Sequence, residues 1–186
     1  DEDYYYTLAR ASSTYSSTTR ICKWDRDDGT MVGSCSTAGR YGTALAIYEG
    51  ADELFLLQTS SSSSYRKIVG FSTSNLATNG KSISYGSGVS SWYYSKDIDV
   101  DESTGDVYIV YREYQGRLRA YERGTDGSYC ASTSCYTQVY TGARYTTSVD
   151  VHEDYVYTAG YYYSSWYGGM KKMPTSSLSS ITTLWD

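Results

Sequence analysis

Four aspartates stand in two short alternating runs, Asp97-Ile-Asp-Val-Asp101 and Ser148-Val-Asp-Val-His152. Side chains alternate across an extended strand, so Asp97, Asp99 and Asp101 share one face, and Asp150 takes the place of Asp99 in the second run. Carboxylates from neighbouring strands are the ligands Ca²⁺ requires, about six to eight oxygens at a time. The competing reading is structural: solvated acids, or caps for the turn at Ser103-Thr-Gly105. That reading is preferred, so no cofactor is expected, and Asp99, Asp101 and Asp150 are the only metal candidates. Asp25-Arg-Asp-Asp-Gly-Thr30 lacks the alternation and distal Glu of a calcium loop and reads as a hairpin turn. Acyl or phosphoryl chemistry needs a placed nucleophile, base and charge stabiliser, and the sole histidine is His152, at the end of a strand. No Gly-x-Ser-x-Gly, phosphate-cradling loop or His-Glu-x-x-His occurs. The expectation is a protein that is not an enzyme.

The four cysteines carry covalent chemistry of another kind. Cys22 and Cys35 are symmetric about Asp28-Gly29, a strong hairpin signal, and Cys130 and Cys135 about Ser132-Thr133. Two local disulfides, 22–35 and 130–135, follow, and with them an oxidising compartment. A zinc site from all four is the rival. It would need the distant pairs to converge without a nearby histidine.

Composition narrows the partners. The chain has 186 residues, a net charge of −5 and 20 % charged residues, which excludes a basic nucleic-acid binder. No apolar run approaches the ~18 residues of a membrane-spanning helix. The anomaly is 24 Tyr against 2 Phe, on a background of 30 Ser and 21 Thr. Tyr, Thr, Val and Ile suit a pleated surface, so an all-β protein is expected. Tyrosines beyond the strands cluster at Trp92, Tyr93 and Tyr94, and at Tyr161, Tyr162, Tyr163, Trp166 and Tyr167. Such loops present large amphipathic area at low entropic cost, suited to protein contact or sugar stacking, or to packing between sheets. Ser60, Ser61, Ser62, Ser63 and Ser64 form a loop open to O-glycosylation.

The elements that must position these groups repeat. Ala44-Leu-Ala-Ile-Tyr-Glu49, Asp97-Ile-Asp-Val-Asp-Glu102 and Ser148-Val-Asp-Val-His-Glu153 read as strands with one buried face. After them come Glu53-Leu-Phe-Leu-Leu57, Asp106-Val-Tyr-Ile-Val110 and Asp154-Tyr-Val-Tyr-Thr158, with Asp3-Tyr-Tyr-Tyr-Thr7 at the start, each opened by an acid. A third column, Ile21…Trp24, Ile68…Phe71, Leu118…Tyr121 and Met170…Met173, advances by 47, 50 and 52 residues. A looser fourth holds Thr30–Val32, Ile83–Tyr85, Thr137–Tyr140 and Ile181–Trp185. Four short strands per unit of about 50 residues is the signature of propeller blades, and a β-sandwich gives no reason for a fixed period.

Asp97 to Tyr111 leading into Gly116-Arg-Leu-Arg-Ala-Tyr121 resembles a blade of the NHL and YVTN-type propellers. His152-Glu-Asp-Tyr-Val-Tyr-Thr158 leading to Gly169-Met-Lys-Lys-Met173 is similar to a YWTD blade without its Trp and final Asp. The resemblance implies an all-β propeller of four blades, at about 1–36, 44–89, 96–143 and 147–186, the first lacking its inner strand. An open four-bladed ring, a section of a larger propeller and completion by a neighbouring copy are the three readings of that gap. Because an uncovered strand edge pairs readily, the expectation is an extracellular structural or adhesive module that self-associates or binds another extracellular protein. A lectin-like glycan binder is the alternative.

Overall fold

The computed structural model describes residues 3–10, 18–59, 66–85, 95–111, 116–130, 135–143, 145–161 and 168–185. They form four antiparallel sheets in chain order. The first is β1 (Tyr4–Arg10), β2 (Thr18–Asp25) and β3 (Ser36–Arg40); the second is β4 (Gly42–Tyr48), β5 (Glu53–Gln58), β6 (Lys67–Ser72) and β7 (Thr78–Ser84). The third is β8 (Ser95–Val100), β9 (Val107–Tyr111), β10 (Arg117–Tyr121) and β11 (Thr137–Tyr140). The fourth is β12 (Tyr145–His152), β13 (Tyr155–Tyr161), β14 (Gly168–Pro174) and β15 (Thr182–Trp185). Each sheet is a simple meander, and the first has three strands where the others have four, as the repeat implies.

Face-to-face stacking supplies the core. Ile21 and Ala38 of the first sheet bury against Leu54, Leu56 and Phe71 of the second. Phe55, Leu57, Ile68 and Ile83 on the reverse of that second sheet meet Ile98, Val107, Ile109 and Tyr111 of the third. Tyr108, Val110 and Leu118 then meet Val149, Val156 and Met173 of the fourth. Thus β5 and β9 are buried along their whole length, because both of their faces are covered. Three apolar clusters join four sheets. Among the described residues no fourth cluster joins the last sheet to the first.

The tyrosine excess is partly core. Tyr48, Tyr85, Tyr108, Tyr111, Tyr121, Tyr129 and Tyr145 are buried. Their hydroxyls find partners, as buried phenols must: Tyr129 donates to the Gly105 carbonyl at 2.6 Å, and Tyr85 donates to the Gln58 carbonyl. The junction of the second and third sheets also encloses Arg119, 1 % exposed. Its guanidinium donates to the Tyr85 carbonyl at 3.1 Å and to Gln138 at 2.9 Å, and lies 4.0 Å from the centre of the Tyr136 ring. Fixed donors and a stacked ring offset the cost of burying that charge.

Two strand expectations shift. The outer strand of the first sheet is Ser36–Arg40, not Thr30–Val32, which carries that sheet beyond residue 36. Asp25 caps the turn by accepting the Asp27 N–H at 2.9 Å, Asp28 accepts that of Thr30 at 2.8 Å, and Gly29 adopts φ +70°. The hairpin therefore forms as read, with Met31 bridging Trp24, but a further left-handed residue at Gly33 redirects the chain before Ser36 pairs with Ile21. The acidic column also slips by one. Tyr5 faces Trp24 as Leu54 faces Phe71, Val107 faces Tyr121 and Val156 faces Met173, so Tyr4 and Tyr155, not Asp3 and Asp154, match Glu53 and Asp106. Asp3, Asp52 and Asp154 share a different role: their carbonyls accept the N–H of Arg26, Thr73 and Thr175.

Both local disulfides are present. Cys22 bonds Cys35 with their Cα atoms 4.2 Å apart, and Cys130 bonds Cys135 across 5 positions, which removes the shared zinc site. Loop closure scales with loop length, so replacing both Cys22 and Cys35 by Ser should cost about 3 kcal/mol and the 130–135 pair about 2 kcal/mol. Urea denaturation of the two double variants measures this, and equal or reversed costs would contradict the ordering.

Candidate functional site

The inner-strand carboxylates do not converge. On β8, Asp97 and Asp99 point toward β12: Asp97 accepts the Ser148 hydroxyl at 2.9 Å and the Val149 N–H at 3.2 Å, and Asp99 accepts the Val151 N–H at 2.6 Å. They pin one inner strand to the next. Asp101 is buried and caps the following turn, taking the Ser103 N–H at 2.8 Å and its hydroxyl at 2.6 Å. Asp150 lies exposed on the far face of β12. No group of three or more His, Cys, Asp or Glu side chains suited to a metal occurs among the described residues. The Ca²⁺ reading of Asp99, Asp101 and Asp150 is therefore replaced by three separate roles.

Two other places were candidates for chemistry. His152 is exposed, with only the equally exposed Glu153 near it at 4.0 Å. An open pocket of about 530 Å³ at the outer edge of the third sheet is lined by Glu122, Arg123, Ser128, Tyr136 and the 130–135 disulfide. Its one cation, Arg123, lies 3.8 Å from Glu53, which Lys81 also pairs, and its hydroxyl Ser128 bonds Asp126 at 2.7 Å. A nucleophile with an adjacent base is not assembled at either place.

The structure instead draws attention to the two ends of the stack. On the uncovered face of the first sheet, Tyr5 and Trp24 stack in parallel with ring centres 6.1 Å apart, and the Trp24 indole N–H donates to Thr7 at 2.7 Å. Tyr5 is 42 % and the neighbouring Met31 46 % exposed. On the uncovered face of the fourth, the Lys172 ammonium sits 3.5 Å from the centre of the Tyr155 ring and 5.5 Å from that of Tyr157. Trp185, opposite Met170, is 53 % exposed. A groove of about 410 Å³ also runs beside the first sheet, lined by Tyr4, Tyr5 and Tyr6 of β1, Arg26, and Leu45, Ala46, Ile47 and Leu54 of the second sheet. It occupies the place where the first sheet lacks an inner strand.

Of the aromatic loop candidates only Tyr161 is described. It closes β13, half-buried, its ring 5.0 Å from that of Tyr145. Trp92, Tyr93, Tyr94, Tyr162, Tyr163, Trp166, Tyr167 and Ser60 to Ser64 lie outside the described residues. The Tyr5–Trp24 stack and the groove were missed by sequence reasoning. Alternation along β1 and β2 is the signal that would have found the first, since it sends Tyr5, Thr7, Cys22 and Trp24 to one face.

Burial pushes the Asp99 carboxyl from 3.8 up to about 6, against the pull of the Val151 N–H, and the nearby Asp150 and Asp97 carboxylates push the same way. A raised carboxyl pKa means the folded chain holds the proton more tightly. Its contribution favours folding below about pH 4, is lost as pH rises through about 6, and is flat above. Asp99→Asn keeps the acceptor for Val151 and removes the charge. Its stability relative to the parent should rise by on the order of 2–3 kcal/mol between pH 4 and pH 7. Urea titrations at the two pH values test this, and a gap independent of pH contradicts it.

No family model and no curated protein sequence matches the chain. Solved structures do. A nidogen/laminin complex superposes with a TM-score of 0.66 at 10 % identity, covering 98 % of this chain and 61 % of its own. Hydrazine synthase from Kuenenia stuttgartiensis gives 0.65 at 8 % identity, over 95 % of this chain and 48 % of its own. The RRP9 WD40 repeats give 0.62 at 10 % identity, over 100 % and 55 %. The chain thus spans about half to three-fifths of the length of the structures it matches. At such identities the likeness speaks for fold alone. Together with four radially stacked antiparallel sheets, it identifies the chain as a β-propeller of four blades, the first built from three strands.

Proposed function

We propose that the chain is a non-enzymatic extracellular propeller module, structural or adhesive in role, that associates with further copies of itself end to end. The observation that carries this reading is the pair of uncovered end faces, each bearing exposed aromatics where every internal face of the stack is covered by a neighbour. Exposed apolar and aromatic patches of this kind mark interaction surfaces. The two faces differ: one offers Tyr5, Trp24 and Met31, the other Tyr155, Tyr157, Lys172 and Trp185. Contact between them is head-to-tail, which closes into a ring or continues as a filament. A span of about half the matched propellers leaves room for two copies to complete one ring. Two short-range disulfides support an oxidising, extracellular setting, and the nidogen/laminin structure is a precedent for a propeller that meets a protein.

Sedimentation velocity across a concentration series tests the reading. The parent chain should associate, and either Tyr5→Ser with Trp24→Ser, or Tyr155→Ser with Tyr157→Ser, should weaken association at least about thirtyfold, the loss typical of central aromatic anchors. Mixed together, the two double variants should form a one-to-one pair and nothing larger, because each retains one intact end. A parent that sediments as a monomer at every concentration overturns the proposal. Glycan recognition is the second reading, favoured by the exposed Tyr5–Trp24 stack.

A further inference from the structure

The inner strands of the three complete sheets share a pattern that says what belongs in the groove beside β1. Taking the residues opposite β5, β9 and β13 in register, Leu45 and Ile47, Ile98 and Val100, and Val149 and Val151 turn one way. Ala44 and Ala46, Asp97 and Asp99, and Ser148 and Asp150 turn the other way, toward the next sheet. Apolar residues therefore alternate with small or acidic ones. Where the alternate residues are acidic, their carboxylates accept the N–H of Val149 and Val151 on the next inner strand. In β4 the corresponding positions are Leu45 and Ile47, and both line the groove. Arg26 lines it as well, and the Lys23 ammonium lies 3.6 Å from the Tyr4 ring centre, so the charge around the site is cationic.

We propose that this groove is a docking site for an extended segment of a partner protein, which adds antiparallel to β1 as an inner strand and carries β-branched residues alternating with aspartates. Its apolar side chains lie opposite Tyr5 and Thr7, the positions that match Leu54 and Leu56. Its aspartates lie opposite Tyr6 and Leu8 and accept the Leu45 and Ile47 N–H, as Asp97 and Asp99 do for Val149 and Val151. Main-chain pairing supplies affinity and the carboxylates supply selectivity. The donor is a partner and not a second copy's strand, because every described strand of this chain is already paired within its own sheet. This inference is independent of end-to-end association.

The probe is a fluorescent peptide with the sequence of residues 95–101, Ser-Lys-Asp-Ile-Asp-Val-Asp, added to the full chain at a dilution where sedimentation shows monomer. Anisotropy should report saturable one-to-one binding. An analogue N-methylated at alternate backbone nitrogens, and one with Lys at the first two aspartates, should each bind at least about tenfold more weakly. Leu8→Pro, which removes a donor on the groove side of β1, should do the same, with thermal unfolding confirming that the variant is folded. Absence of saturable binding by the parent peptide, or equal binding by both analogues, overturns the proposal. Neither result bears on self-association, which the peptides leave untouched.

Discussion

A four-stranded sheet with apolar side chains on both faces cannot be stable alone, and that constraint governs the chain. Each sheet is small, and burial of apolar surface near 25 cal/mol per Å² is its main source of stability. The only way to cover both faces is to place another sheet on each side. The second and third sheets are covered in this way, and their central strands are buried from end to end. Polar groups are then confined to strand ends, to the inner edges and to sites where a partner is guaranteed. Arg119 is an instance of the last, held between Tyr85, Gln138 and the Tyr136 ring.

The inner edge has its own solution. Neighbouring inner strands converge without being hydrogen-bonded as a sheet, so their amides face one another across a gap. Asp97 and Asp99 bridge it with side-chain oxygens, and Glu102 does the same for the Glu49 N–H at 3.1 Å. Between β4 and β8 the residues in place of the aspartates are Ala44 and Ala46, and apolar contact takes over. Acids on inner strands, which suggest a metal in isolation, are here the connectors of adjacent blades.

Much of this was legible in the sequence. The period near 50, the four strands per unit, the short first sheet and both disulfides follow from alternation and symmetric spacing alone. Physical reasons mark where legibility ended. A strand slip of one residue exchanges the two faces, and an acid preceding Tyr4 looks the same as one preceding Leu54 until pairing partners are known. Gly33 in a left-handed conformation displaced the outer strand by a few residues, which composition does not reveal. The Tyr5–Trp24 stack depends on which sheet has no neighbour, a property of the whole stack and of no local segment. The acids of β8 could be placed on one face but not assigned acceptors' work, because their partners lie about fifty residues away.

The one-neighbour packing of these sheets also bears on how such a chain can change over time. Since each unit interacts only with the units beside it, stability accumulates unit by unit and not through a single indivisible core. Duplication or loss of a whole unit would leave the remaining junctions intact, provided the new boundary presented compatible faces. The junctions are not interchangeable, however: the second and third sheets meet through an enclosed arginine and several phenols, the third and fourth through aliphatic side chains and carboxylate-to-amide bridges. A copied unit would carry its own mating surface with it, so the order of units along the chain is specified by chemistry as well as by the backbone.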